Sequence, residues 1–277
     1  MSRSIEQLLP RPSVMGVVNV TPDSFSDGGA FFHPQAAITE ARGMYDEGAV
    51  IVDIGGESTR PGSEGVSLEE ELARVEPVLE ALPDVPVSID TSKAEVAKRA
   101  FAAGAVLVND VTALRGDPDL AGVVAGSEAC LCLMHMLGDP RTMQDDPRYD
   151  DVVSEVKSFL EGRLAFAVEQ GVEEERVWLD PGIGFGKTVE HNLELLRRLD
   201  EIVAIGRPVV IGTSRKSFLG KLAGGRDETQ RLPGTIAANV LALERGATVF
   251  RVHDVAQNAD ALKVAAATFR LDVGEGA

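Results

Sequence analysis

Short apolar, β-branched runs alternate along this chain with longer stretches whose apolar residues recur at helical spacing. The runs cover residues 14–20, 50–54, 85–89, 105–108, 129–134, 177–179, 208–211 and 248–252. Each is short enough for a buried strand and ends in polar or glycine-rich residues. Between them, Ala37, Ala41, Met44 and Tyr45 mark one face of a helix over 34–48. Further helices are predicted from Ser67, over 93–103, 120–125, 150–170, 189–199 and 232–245, and from about Asp254 onward. Ser67 with Glu70 three residues on is the pattern of a capping box.

Eight strand–helix units in succession predict a parallel (β/α)8 TIM barrel. The rival is a doubly wound open sheet; the count of eight and a length of 277 residues favour the closed barrel. With no linker or low-complexity segment in sight, one domain is expected over 13–272, with short tails at 1–12 and 273–277.

In a barrel of this kind, chemistry gathers where strands run out into the following loops. Those places carry Asn19, Asp53 with Glu57, Asp90, Asn109, His135, Asp180, Lys216, and Arg251 with His253. Any one of them has an ordinary structural role open to it. Asp180 can cap a turn, Arg251 can pair with Asp254 or Asp110, and His253 can bond a helix start. Asp53 and Glu57 are expected to serve in hydrogen bonding at the barrel end. Together, however, the residues are expected to converge on one mouth. Asp90, Asn109 and Asp180 supply acceptors and one amide donor, which suits a flat heterocycle rich in N–H groups. Asn19, Arg251 and His253 come from the first and last strands, neighbours in a closed ring, and suit a phosphate or diphosphate. Lys216 falls between the two groups.

The stretch 180–187, Asp-Pro-Gly-Ile-Gly-Phe-Gly-Lys, places three glycines at alternate positions after a strand. It is neither a Walker loop nor a dinucleotide fingerprint, because Pro181 and Lys187 stand where those motifs need glycine. What remains is a carboxylate at a strand end and a loop shaped for close approach. Two more loops, 21–29 and 55–63, are rich in Gly, Pro and hydroxyls and suit closure over a ligand.

Composition narrows the partners. A formal charge of −17 argues against nucleic acid and anionic membrane surfaces, though local cations can still dominate a cleft. Neither a signal peptide nor a membrane-spanning run is apparent, and Cys130 and Cys132 read as buried thiols of a reducing, cytoplasmic compartment.

Seven motifs in chain order resemble the dihydropteroate synthase family. They are Asn19 to Gly29, Asp53 to Gly62, Ser88 to Thr91, Leu133 to Met136, Asp180 to Lys187, Ser214 to Ser217 and Arg251 to Val255. The chain departs from the common family pattern at Leu137, where Gln is usual, and Ile183, where Phe is common. The resemblance implies that 4-aminobenzoate displaces diphosphate from 6-hydroxymethyl-7,8-dihydropterin diphosphate, with magnesium and in a homodimer. It also assigns roles. Asp90, Asn109, Met134, Asp180, Phe185, Gly212 and Lys216 would meet the pterin. Asn19, Arg251 and His253 would hold the diphosphate, Asn19 also meeting the metal. Phe25, Thr59, Arg60, Pro61 and Ser217 would shape the aminobenzoate pocket. Lys216, Asp90, Arg251 and His253 would carry the chemistry. The alternatives are a pterin-dependent methyltransferase of the same superfamily, a Schiff-base aldolase using Lys216, and a silent pterin-binding paralogue.

Overall fold

The computed structural model describes residues 11–21, 34–60 and 62–270. Eight parallel strands form one sheet: β1 (Ser13–Asn19), β2 (Ile51–Gly55), β3 (Val87–Asp90), β4 (Leu107–Asp110), β5 (Cys130–Met134), β6 (Val177–Asp180), β7 (Val210–Ile211) and β8 (Val249–Val252). Consecutive strands pair from β1 to β6, and β8 lies between β7 and β1. The ring closes between β6 and β7 through a single bridge from Leu179 to Val209. The expected (β/α)8 barrel is therefore the observed one.

Closure is thin at that seam for a local reason. Pro208 has no N–H to give a ladder, so the strand expected over 208–211 shortens to Val210–Ile211. The Pro208 carbonyl still accepts from Leu179 N–H at 2.9 Å.

The helices are α1 (Pro34–Asp46), α2 (Leu68–Glu80), α3 (Ala94–Ala102), α4 (Leu120–Ala125), α5 (Val152–Glu169), α6 (Val189–Arg197), α7 (Leu199–Val203), α8 (Ser217–Leu222), α9 (Leu232–Glu244) and α10 (Val255–Phe269). Ser67 caps α2 by accepting from Glu70 N–H at 3.1 Å. The reciprocal half of the capping box is missing, because the Glu70 carboxylate turns to Arg74 instead. The helix expected over 189–199 breaks at Arg198, whose guanidinium is spread over Asp151, Glu194 and Glu201.

Alternation along the strands divides the apolar residues into two cores. Val18, Val52, Ile54, Ile89, Val108, Leu131, Leu133, Leu179 and Val252 face the helices and join the larger core. Met15, Ile51, Leu107, Cys130, Cys132, Trp178, Val210 and Val249 fill the barrel itself. Both cysteines are outside any disulfide, buried and on the inward face. The next inward position up β6 after Trp178 is Asp180, and the other strands follow the same parity. Strand register therefore aims Asp90, Asn109, Met134, Asp180 and Arg251 along the barrel axis.

Candidate active site

At the C-terminal mouth of the barrel, polar side chains replace the apolar plug beneath. Asp53, from the middle of β2, is fully buried and acts as the hub. Its Oδ2 accepts from Arg251 Nε at 2.7 Å and from Asn109 Nδ2 at 2.9 Å. The other arm of Arg251, Nη2, donates to Asp90 Oδ2 at 2.7 Å. The acid group and the cation expected at separate edges of the mouth are thus one network. Arg251 pairs with neither Asp254 nor Asp110: Arg215 holds Asp254, and Asp110 accepts from the Thr112 and Leu114 backbones.

Burial raises the Asp90 carboxyl to about 7; Arg251 works against that rise, and Asp53 adds to it. Burial also raises Asp180, offset by the Gly182 N–H that donates to its Oδ1 at 2.7 Å. For Arg251, burial pulls downward, but the surrounding carboxylates outweigh it and the net shift is upward. Two acceptor atoms, Asp53 Oδ1 and Asn109 Oδ1, are buried with no partner. Buried acceptors without donors are costly, so the site is pre-set for a ligand that brings N–H groups.

The loop after β6 supplies the wall. Gly182, Gly184 and Gly186 all take positive φ. A Cβ on Gly182 would lie 1.8 Å from the His135 carbonyl oxygen, so only glycine lets this loop reach the one after β5. Phe185 is buried beside Met134 and Met136, and Lys216 places its ammonium 3.9 Å from the Phe185 ring centroid. Burial, with Arg251 nearby, lowers the Lys216 ammonium to about 8. Lys216 reaches this point because Arg215 before it sits at φ 58, held by the Asp254 carboxylate and by Thr235 Oγ1.

His253 is not a cation. Burial, then Arg215 and Arg251, press it down to about 3. Ser214 Oγ accepts from His253 N–H at 3.1 Å and lies 3.0 Å from Nδ1. Ser214 thus fixes one edge of the neutral imidazole and leaves Nε2 for the mouth.

Other expected residues fall around the mouth. Asn19 and Gly212 are half-buried at the ends of β1 and β7. Thr59 is half-buried, Arg60 is exposed and reaches Glu228, and Ser217 is exposed at the start of α8. Gly184, Ser217, Phe218 and Lys221 line a cavity of about 470 Å3 beside them. Phe25 and Pro61 lie outside the described residues. Glu57 is tied to Lys93, which also holds the buried Glu71.

His135 is displaced from the expected mouth. It follows the inward Met134 and so faces outward, edge-on to Phe159 of α5 at 4.8 Å between ring centroids. Lys187, read in the sequence only as a break in a nucleotide motif, is 3% exposed and contacts His135. Its place after a run of close-approach glycines was the one signal of burial.

The pterin-binding enzyme family matches residues 15–253. A dihydropteroate synthase of Synechocystis is 47% identical over 94% of this chain and 91% of its own. The chain belongs to the dihydropteroate synthase family. Two solved family structures from Xanthomonas albilineans superpose closely. One, a dihydropteroate synthase with 4-aminobenzoic acid, is 48% identical with a TM-score of 0.87, over 93% of both chains. The other, in complex with 7,8-dihydropteroate, is 45% identical with a TM-score of 0.84, over 93% of this chain and 94% of that one. Members of the dihydropteroate synthase family are transferases, and this chain carries their barrel over the length that is matched.

Proposed function

We propose that the protein joins 6-hydroxymethyl-7,8-dihydropterin diphosphate to 4-aminobenzoate, releasing diphosphate and 7,8-dihydropteroate. The observation that carries this reading is the single network linking Asp53, Asp90, Asn109 and Arg251, with Asp180 and Lys216 at the same mouth. Its unpartnered acceptors suit the N–H edge of a pterin. The aminobenzoate and dihydropteroate complexes of the two relatives support the two ends of the reaction.

Bond making and breaking are simple. The carbon–oxygen bond at the pterin methylene breaks, the arylamine nitrogen bonds to that carbon, and one amine proton leaves. Breaking the bond first leaves a cation spread over an electron-rich ring. Asp90 and Asp180 stabilise that charge from fixed, buried positions, and Arg251 with the His253 imidazole faces the departing diphosphate. An arylamine is already a neutral nucleophile, so no side chain must act as general base. Phe185, Met134 and Gly212 give the pterin its flat wall. Thr59, Arg60 and Ser217 border the aminobenzoate pocket.

Magnesium fits the donor set in one way. Among the described residues, no three His, Cys, Asp or Glu side chains gather to hold a metal. Asn19 offers a single carboxamide oxygen at the mouth. Mg2+ commonly takes one or two protein ligands and completes its shell with phosphate oxygens and water. Asn19 and the diphosphate would hold it, and bound there it would neutralise charge on the leaving group.

Assembly as a homodimer is part of this reading, and sedimentation at micromolar concentration checks it. The buried thiols, outside any disulfide, support a reducing compartment, and no described helix is long and apolar enough to cross a membrane.

The deciding experiment is diphosphate release from pterin diphosphate, with and without 4-aminobenzoate and magnesium. Release that depends on both is expected. Absence of aminobenzoate-dependent release would refute the reading, and turnover of a methylated pterin would move it to the methyltransferases.

A further inference from the structure

Behind the pterin wall lies a pair of titratable groups that the reaction does not use. Lys187 Nζ donates to the Phe185 carbonyl at 2.9 Å and lies 2.9 Å from His135 Nδ1. Both residues are buried, and no carboxylate forms a salt bridge with Lys187 among the described residues. The loops they join are interlocked. His135 N–H donates to the Asp180 carbonyl at 2.9 Å, and Tyr149 Oη donates to the Gly186 carbonyl at 2.8 Å. A Cβ on Gly186 would come within 2.6 Å of Leu137 Cβ.

A buried amine with no carboxylate in hydrogen-bond contact, and only the charge of Asp180 nearby to offset burial, is a costly way to fill space, and leucine or methionine would pack there more cheaply. What Lys187 adds is direction. By folding back on the carbonyl two residues earlier, it fixes the peptide that carries the Phe185 ring. His135 Nδ1 serves as its acceptor, with the imidazole clamped edge-on against Phe159 and tilted against Tyr149. Burial and the neighbouring Lys187 hold this imidazole neutral, down at about 2, and burial lowers Lys187 itself to about 7. Both shifts agree with an amine-to-imidazole hydrogen bond.

We propose that Lys187 and His135 act together as positioning residues that lock Phe185 and the loop after β6 into a rigid platform for the pterin ring. This rests on the reading given under Proposed function. A fixed platform improves binding of the ring without touching the bonds that change, so its loss belongs in KM.

The test compares Lys187→Met and His135→Phe with the wild type. His135→Phe keeps a ring against Phe159 and removes the acceptor. Lys187→Met is expected to raise KM for pterin diphosphate about tenfold, the worth of one charge-assisted hydrogen bond, with kcat within about twofold. His135→Phe should raise KM about threefold, since the bond to the Phe185 carbonyl survives. Unchanged KM in folded variants, or loss confined to kcat, would overturn the proposal. Nitrogen NMR of the imidazoles gives a second readout that does not depend on activity. His135 should stay the neutral Nε2–H tautomer from pH 5 to 8 and shift on Lys187→Met. An imidazole titrating near its ordinary value in the wild type would overturn the pairing, even should Lys187→Met fail to fold. If the wild type releases no diphosphate, the functional reading has failed, and the imidazole signals still decide the pair.

Discussion

Replacing Asp90 by Asn is expected to flatten the pH dependence of folding stability. The folded Asp90 carboxyl stands at about 7, raised from 3.8 by burial. At any pH between those values the folded chain holds a proton that the unfolded chain has released. Stability therefore falls as pH rises through that window, and levels off above about 7. The slope approaches about 1.4 kcal/mol per pH unit below the folded value and fades as pH nears 7, so the fall from pH 5 to pH 8 is on the order of 2 kcal/mol. Asn does not titrate, so the stability of the variant relative to wild type should grow by that amount between pH 5 and pH 8. The Asn carboxamide oxygen can still accept from Arg251, so the change with pH reports the titration of Asp90. Urea unfolding at the two pH values measures the difference directly. A stability difference that does not change with pH would show that Asp90 is ionised in the folded chain throughout, and that Arg251 outweighs burial.

Asp180→Asn should weaken pterin diphosphate by roughly 100-fold, because the bound ring loses a charged acceptor held in place by Gly182 N–H; calorimetry showing unchanged affinity would remove Asp180 from the site. Gly182→Ala should cost about 3 kcal/mol or more in thermal or chemical denaturation, since its Cβ meets the His135 backbone at 1.8 Å and φ is +66. A near-neutral effect would mean that the loops after β5 and β6 are not locked together.

Much of this architecture was legible because it repeats. Period-two apolar runs and period-3.6 stretches alternate, and the parity that buries Val52 and Ile54 against helices also turns Asp53 inward. The strand-end rule then found Asp90, Asn109, Asp180 and Arg251 without any contact information. It misplaced His135 because a strand end says which rim a residue occupies, not which side of the wall it faces. It could not see the Asp53–Arg251–Asp90 network, since those partners come from three strands and meet only when the ring closes. Lys187 was passed over because its one signal, a place after close-approach glycines, does not say that the side chain itself is swallowed by the fold. The short helices α7 and α8 also went unread: α7 continues a helix expected to end at 199, and α8 begins at the last residue of the polar strand-end run 214–217.

The chain has one tryptophan, and the barrel puts it one inward step beneath Asp180, sealed from solvent and with its indole N–H unpaired. A chromophore so placed senses charge and ring stacking overhead but almost nothing of the solvent outside. Occupancy of the cleft can therefore be followed by emission from the native protein, with no dye attached and no substitution near the reacting atoms.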